Sequence, residues 1–143
     1  MRASLAVMLI GATAFAAPVP KEAKKTPLDQ LQGKWVLVSF DSGGGTQTPT
    51  GDFSSYTLTV DRGIISTASA LATAYPPVPA KFDFKSDPMK MDMPFGGDKV
   101  IPGIIKIDGD RLDWCVAPAG STRPTEFGGG DSRQHYIWKR VGK

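Results

Sequence analysis

The feature that most restricts the fold is an alternation of apolar and polar residues in short runs, each broken by glycine or proline. Phe82-Asp-Phe84, Met89-Lys-Met91-Asp-Met93, Ile105-Lys-Ile107 and Leu112-Asp-Trp114 all repeat every second residue. Successive side chains of a strand point to opposite faces, so each run has one dry face and one wet face. Helical periodicity is nearly absent, and 16 glycines and 12 prolines in 143 residues supply the turns that short strands need.

Strands are expected at Lys34–Phe40, Tyr56–Val60, Ile64–Ala68, Ala80–Phe84, Met89–Met93, Gly103–Ile107, Arg111–Val116 and Gln134–Arg140. Val60-Asp-Arg-Gly63 ends in the glycine that a tight turn requires, and Ile107-Asp-Gly-Asp-Arg-Leu112 carries the Asp108-Gly109 pair typical of the shortest hairpins. Leu28-Asp-Gln-Leu31 is the one stretch suited to a helical turn. Eight or so sequential short strands fit an all-β, antiparallel, up-and-down barrel, which closes its own edges.

The N-terminus reads differently from the rest. Arg2 precedes the apolar run ASLAVMLIGATAFAA, and Ala14-Phe15-Ala16 has the small-x-small pattern of a signal-peptidase site. The run is shorter than the roughly 20 residues needed to span a bilayer. A signal peptide over 1–16, a flexible leader over 17–27 and a single domain over 28–143 are therefore expected. That organisation implies export to the periplasm or the medium, with no stable membrane insertion after cleavage. The formal charge of +3 falls to +2 without Arg2, and no stripe of Lys or Arg exists, which argues against a nucleic-acid partner.

Little in the sequence supports catalysis. Cys115 is the only cysteine, so no internal disulfide forms, and a lone thiol between strands behaves as a small hydrophobe. His135 is the only histidine, which excludes a multi-histidine metal site. A Cys115–His135 pair can be drawn, but the sequence orients the imidazole with no third group. Asp108 and Asp110 belong to a hairpin and Asp113 alternates outward, so the three do not form a calcium loop. The triple glycines Gly43–Gly45 and Gly128–Gly130 lack the Lys-Ser/Thr of a phosphate cradle. The chain is thus expected to be no enzyme and to need no metal or cofactor. With the dry faces inward, Phe82, Phe84, Met91, Trp114 and Tyr136 or Trp138 line the interior. An eight-stranded barrel can be filled by such side chains or can hold one small apolar or amphipathic ligand. The alternative is a filled interaction domain that acts through the connections Asp41–Asp52 and Ala117–Arg133.

Two stretches go further: LQGKWVLVS, and Gly103 to Phe127 (GIIKIDGDRLDWCVAPAGSTRPTEF) with the closing strand HYIWKRV. Gly33, Trp35, Gly103, Asp108, Gly109, Asp110, Leu112, Cys115, Pro118, Gly120, Arg123, Pro124 and Phe127 together resemble an uncharacterised lipocalin-like domain family abundant in planctomycete bacteria. Ile105 departs from it, standing where that family usually has tyrosine. The resemblance implies a lipocalin-like barrel, an exported protein, and structural roles for Gly33, Trp35, Asp108, Gly109 and Cys115. It also implies that Trp35 sits at the closed end of the barrel, with Arg140 or Lys139 covering its ring. A guanidinium over an indole gains cation–π attraction and covers apolar area.

Overall fold

The computed structural model describes residues 23–69 and 76–142. The expected signal segment and the start of the leader lie outside them. A helical turn, α1 (Pro27–Leu31), precedes nine strands: β1 (Gly33–Asp41), β2 (Thr57–Asp61), β3 (Ile64–Ala68), β4 (Val78–Pro79), β5 (Lys81–Asp83), β6 (Met89–Pro94), β7 (Val100–Asp108), β8 (Arg111–Val116) and β9 (Gln134–Arg140). They form one antiparallel sheet in the order β4-β3-β2-β1-β9-β8-β7-β6-β5. First and last strands are neighbours, and the sheet curls into a nearly closed barrel. No helix among the described residues is long and apolar enough to cross a membrane.

The strand expected at Ala80–Phe84 is observed as β5, and a further short strand, β4, forms just before it at Val78–Pro79. Only Ala80 separates β4 from β5. This one passage pairs first with β3 (Ile64↔Pro79, Ile65↔Val78) and then with β6 (Lys81↔Asp92, Phe82↔Met91, Asp83↔Lys90). Ala80 N–H donates to Gly63 O at 2.9 Å, which fixes the bend between the two pairings. A single segment thereby joins the two ends of the sheet.

The two legible hairpins use different turns. Arg62 (φ 49°) and Gly63 (φ 84°) both take positive φ between β2 and β3, the pattern of a type I′ turn. The Arg62 N–H is held by the Gln32 side-chain oxygen at 2.6 Å. In the second hairpin Asp108 is the last strand residue, paired with Arg111, and Gly109 occupies the first central position with φ 57°. That is the glycine position of a type II′ turn, one residue later than an Asp-Gly centre would place it.

A β-bulge at Val38 resets the inward face of β1: Leu37 opposes Trp138 while Ser39 opposes Ile137. Trp35 and Leu37 before the bulge, and Phe40 after it, consequently all pack on the same core. The floor of the barrel is solid, with Trp35, Leu58, Ile65, Met91 and Leu112 almost fully buried.

The closed end is assembled from the polypeptide just before β1. Thr26 and Asp29 form a reciprocal capping box, with Asp29 N donating to Thr26 Oγ1 (3.1 Å) and Thr26 N donating to Asp29 Oδ2 (2.9 Å). The turn so started buries Leu31 and presents its carbonyl to Trp35 Nε1 at 3.0 Å. Arg140, at the end of β9, lies over the Trp35 ring with Cζ 4.1 Å from the centroid. It donates from Nη1 to Gln32 O (2.6 Å), from Nη2 to Gln30 O, and from Nε to Asp110 Oδ1 (3.2 Å). Gly33 has φ 116°, and a Cβ there would stand 3.4 Å from Arg140 Nη1, so the Gly-x-Trp spacing serves this cover.

Arg140→Ala removes the cation–π contact and three charge-assisted hydrogen bonds together. The expected loss is about 2–4 kcal/mol in urea unfolding. Arg140→Lys should recover less than half of it, because an ammonium cannot span a flat ring and two carbonyls at once. A loss within experimental error for Arg140→Ala would remove this residue from the account of closure.

Candidate functional site

The cavity lies at the end of the barrel away from Trp35. It measures about 490 Å³ and is walled by Tyr56, Thr67, Met93, Ile101, Trp114, Val116, Gln134, Tyr136 and Trp138, with Phe95, Lys99, Ala117, Pro118, Ala119 and Ser132 at the connections. Such a volume falls in the range of small-molecule sites, roughly 300–1,000 Å³.

Strand register brings these groups together. Trp114 of β8 pairs with Tyr136 of β9, one step above the Leu112↔Trp138 pair. The rings lean on one another along the wall, with centroids 6.1 Å apart for Trp114–Tyr136, 5.9 Å for Trp114–Trp138 and 6.0 Å for Tyr136–Trp138. Tyr56 extends the row at 5.8 Å from Trp138. Tyr56 Oη donates to Thr67 Oγ1 (3.2 Å), and Tyr136 Oη donates to Gln134 Oε1. The indole N–H groups of Trp114 and Trp138 are buried and have no hydrogen-bond partner in this structure.

Of the residues expected to line the interior, Trp114 and Tyr136 are in the cavity wall. Met91 is in the packed floor instead, at 2 % exposure, opposite Gly103. Phe82 and Phe84 stack on each other at 5.3 Å beside that floor, away from the cavity. Alternation assigned all three to the correct face, but it carries no information on height along the barrel axis. Met93, two residues further along β6, reaches the cavity level, opposite Ile101 of β7. Lys99 was not signalled by alternation at all, because it comes from the β6–β7 turn.

The outer wall holds a second set of chemically capable side chains. Asp113 points away from the core yet is only 9 % exposed. It accepts from Arg111 Nε (2.7 Å) and Nη2 (2.9 Å), and its Oδ1 lies 3.0 Å from His135 Nε2. The structure therefore supplies the third group for His135 that sequence alone lacked. Cys115, opposite His135 in the register, is fully buried, and its thiol donates to Gly128 O at 3.5 Å. Burial pushes the Cys115 thiol above its ordinary pKa, which keeps it protonated and a poor nucleophile.

What covers this wall is the 117–133 connection, which is tied down along its length. Arg123 Nη1 donates to Met91 O (2.9 Å) and Gly103 O (2.8 Å), and Nη2 pairs with Asp92 at 2.5 Å. Phe127 packs on the His135 ring at 5.6 Å. A Cβ on Gly129 would lie 2.4 Å from Asp41 Oδ1, so only glycine fits there. The backbone N–H groups of Gly43, Gly129 and Gly45 hold the Asp41 carboxyl below the usual range. Among the described residues, no group of three or more His, Cys, Asp or Glu is placed to hold a metal ion.

No protein-family model, curated protein or solved structure matches the chain.

Burial pushes the Asp113 carboxyl upward, but the Arg111 guanidinium and His135 outweigh it and hold the group below its ordinary value. A depressed folded-state pKa means that the stabilisation is fully present above the unfolded value of about 4. It drains away as pH falls through the lower, folded value. Asp113→Asn should flatten this acid limb of the stability–pH curve while lowering stability at pH 7. An unchanged acid limb in urea titrations from pH 3 to pH 7, roughly the carboxylate range and above, would show that the pairing contributes nothing.

Proposed function

We propose that this chain is an exported, lipocalin-like protein that binds one small apolar or amphipathic molecule non-covalently in its barrel, without catalysis. The observation that carries the reading is the 490 Å³ cavity with its aromatic wall. In support, the groups capable of acid–base or thiol chemistry, Asp113, His135 and Cys115, belong to the opposite side of the sheet and are covered by the 117–133 connection. Export rests on the N-terminal pattern of Arg2, the apolar run and Ala14-Phe15-Ala16. Membership of the lipocalin-like family rests on the Gly33–Trp35 and Gly103–Phe127 residues.

Native mass spectrometry of protein isolated from its own periplasmic fraction or medium tests the proposal. The expected result is a discrete added mass that disappears on denaturation, on a chain of 127 residues if cleavage follows Ala16. Ile101→Trp extends a side chain into the cavity and should abolish the added mass while leaving the circular dichroism spectrum intact. A bare native mass, or an added mass indifferent to Ile101→Trp, would leave the domain as a filled scaffold that acts through its connections.

A further inference from the structure

The polar groups around the cavity are unevenly matched. Lys99 is the one charged side chain in its lining, and among the described residues its ammonium has no ion-pair partner. Gln134 has its carbonyl oxygen occupied by Tyr136 Oη, which leaves its amide N–H groups to donate. Donors of this kind call for an acceptor-rich guest, and a lone cation at an apolar mouth calls for a negative charge next to an apolar body.

Resting on the binding reading above, we propose that the cavity takes a monoanionic amphiphile whose acidic head pairs with Lys99. Its apolar body lies between Met93, Ile101 and the Trp114–Tyr136–Trp138 cluster. Lys99 is placed for this by the turn that joins β6 to β7: Phe95 N donates to Lys99 O at 3.0 Å, and Lys99 N to Gly96 O at 3.3 Å. This closed turn holds the lysine backbone at the rim, and the flexible stem lets the ammonium follow a head group in water. The exposed Phe95 beside it, at 51 % exposure, extends the apolar surface to the entrance.

Three probes with one tail separate the head group from the body: dodecanoate, dodecanol and dodecylammonium, each titrated below its aggregation concentration and read by tryptophan fluorescence. Dodecanoate should bind roughly three- to fivefold more tightly than dodecanol, the gain of one solvent-exposed ion pair, and dodecylammonium should bind most weakly. The preference should shrink as salt is added. Lys99→Glu should remove the preference for the acid, and Lys99→Arg should retain it. Equal affinity for dodecanoate and dodecanol, or a preference untouched by Lys99→Glu, overturns the head-group assignment while leaving the cavity reading in place. Failure of all three probes, together with a bare native mass, overturns both.

Discussion

The Arg140 guanidinium on the face of Trp35 is the contact through which the two ends of the chain are joined. Trp35 enters on β1 and Arg140 leaves on β9, and the two residues are direct partners across the sheet. The same guanidinium reaches back to the carbonyls of Gln30, within the capped turn α1, and Gln32, just after it, which would otherwise end without donors. One planar cation thus covers an indole and satisfies carbonyls that no strand can reach. An up-and-down sheet whose first and last strands were not so joined would keep two long edges open to other chains. The other seam, between β3 and β6, is bridged by a short bent passage with few backbone pairs. Closure at β1–β9 therefore has to be the firm one.

A second consequence of the meander is that its outer face does not stay in water. Ile104 and Cys115 are buried but lie outside the core cluster, because the 117–133 connection folds back over them. A cover of this kind has no periodic backbone pairing of its own, so its polar groups need partners on the sheet. Arg123 meets that need by spanning the carbonyls of Met91 and Gly103, and Asp41 meets it at the other end with backbone N–H groups from both glycine-rich stretches. Arg123, Pro124 and Phe127 all belong to this cover. Arg123 anchors it, Pro124 is buried beneath it, and Phe127 packs on His135.

Much of this was legible in the residues, and what was not has identifiable causes. Period-two alternation located every long strand and told inside from outside, since the pleat leaves each side chain only two directions. It failed at Val38, where a bulge moves the inward face from Leu37 to Phe40 and the local pattern simply looks apolar. Pro102 hid the first part of β7, because a residue without an N–H reads as a strand breaker. It is tolerated here beyond Gly103↔Val116, where its carbonyl accepts from Ala117 N at 3.0 Å. Alternation could not place Met91, Phe82 and Phe84 below the cavity, because depth depends on the stagger between strands. Nor could it show Asp113 bound to His135, since these residues are 22 positions apart and meet only through the β8–β9 register.

The contrast between the two halves of the barrel bears on why there is a cavity at all. In the floor, side chains from facing strands reach towards the axis and meet. In the upper half the large residues come from neighbouring strands and lie against one another along the wall, so each ring buries its area on the next ring instead of crossing the lumen. Rings at 5.9–6.1 Å gain contact in that arrangement without filling the centre. It also leaves two buried indole N–H groups without partners, each costing on the order of 1–3 kcal/mol. Leucine or isoleucine at those positions would fill space without that cost. What tryptophan adds at these positions is flat ring surface along the wall, which leucine or isoleucine cannot supply.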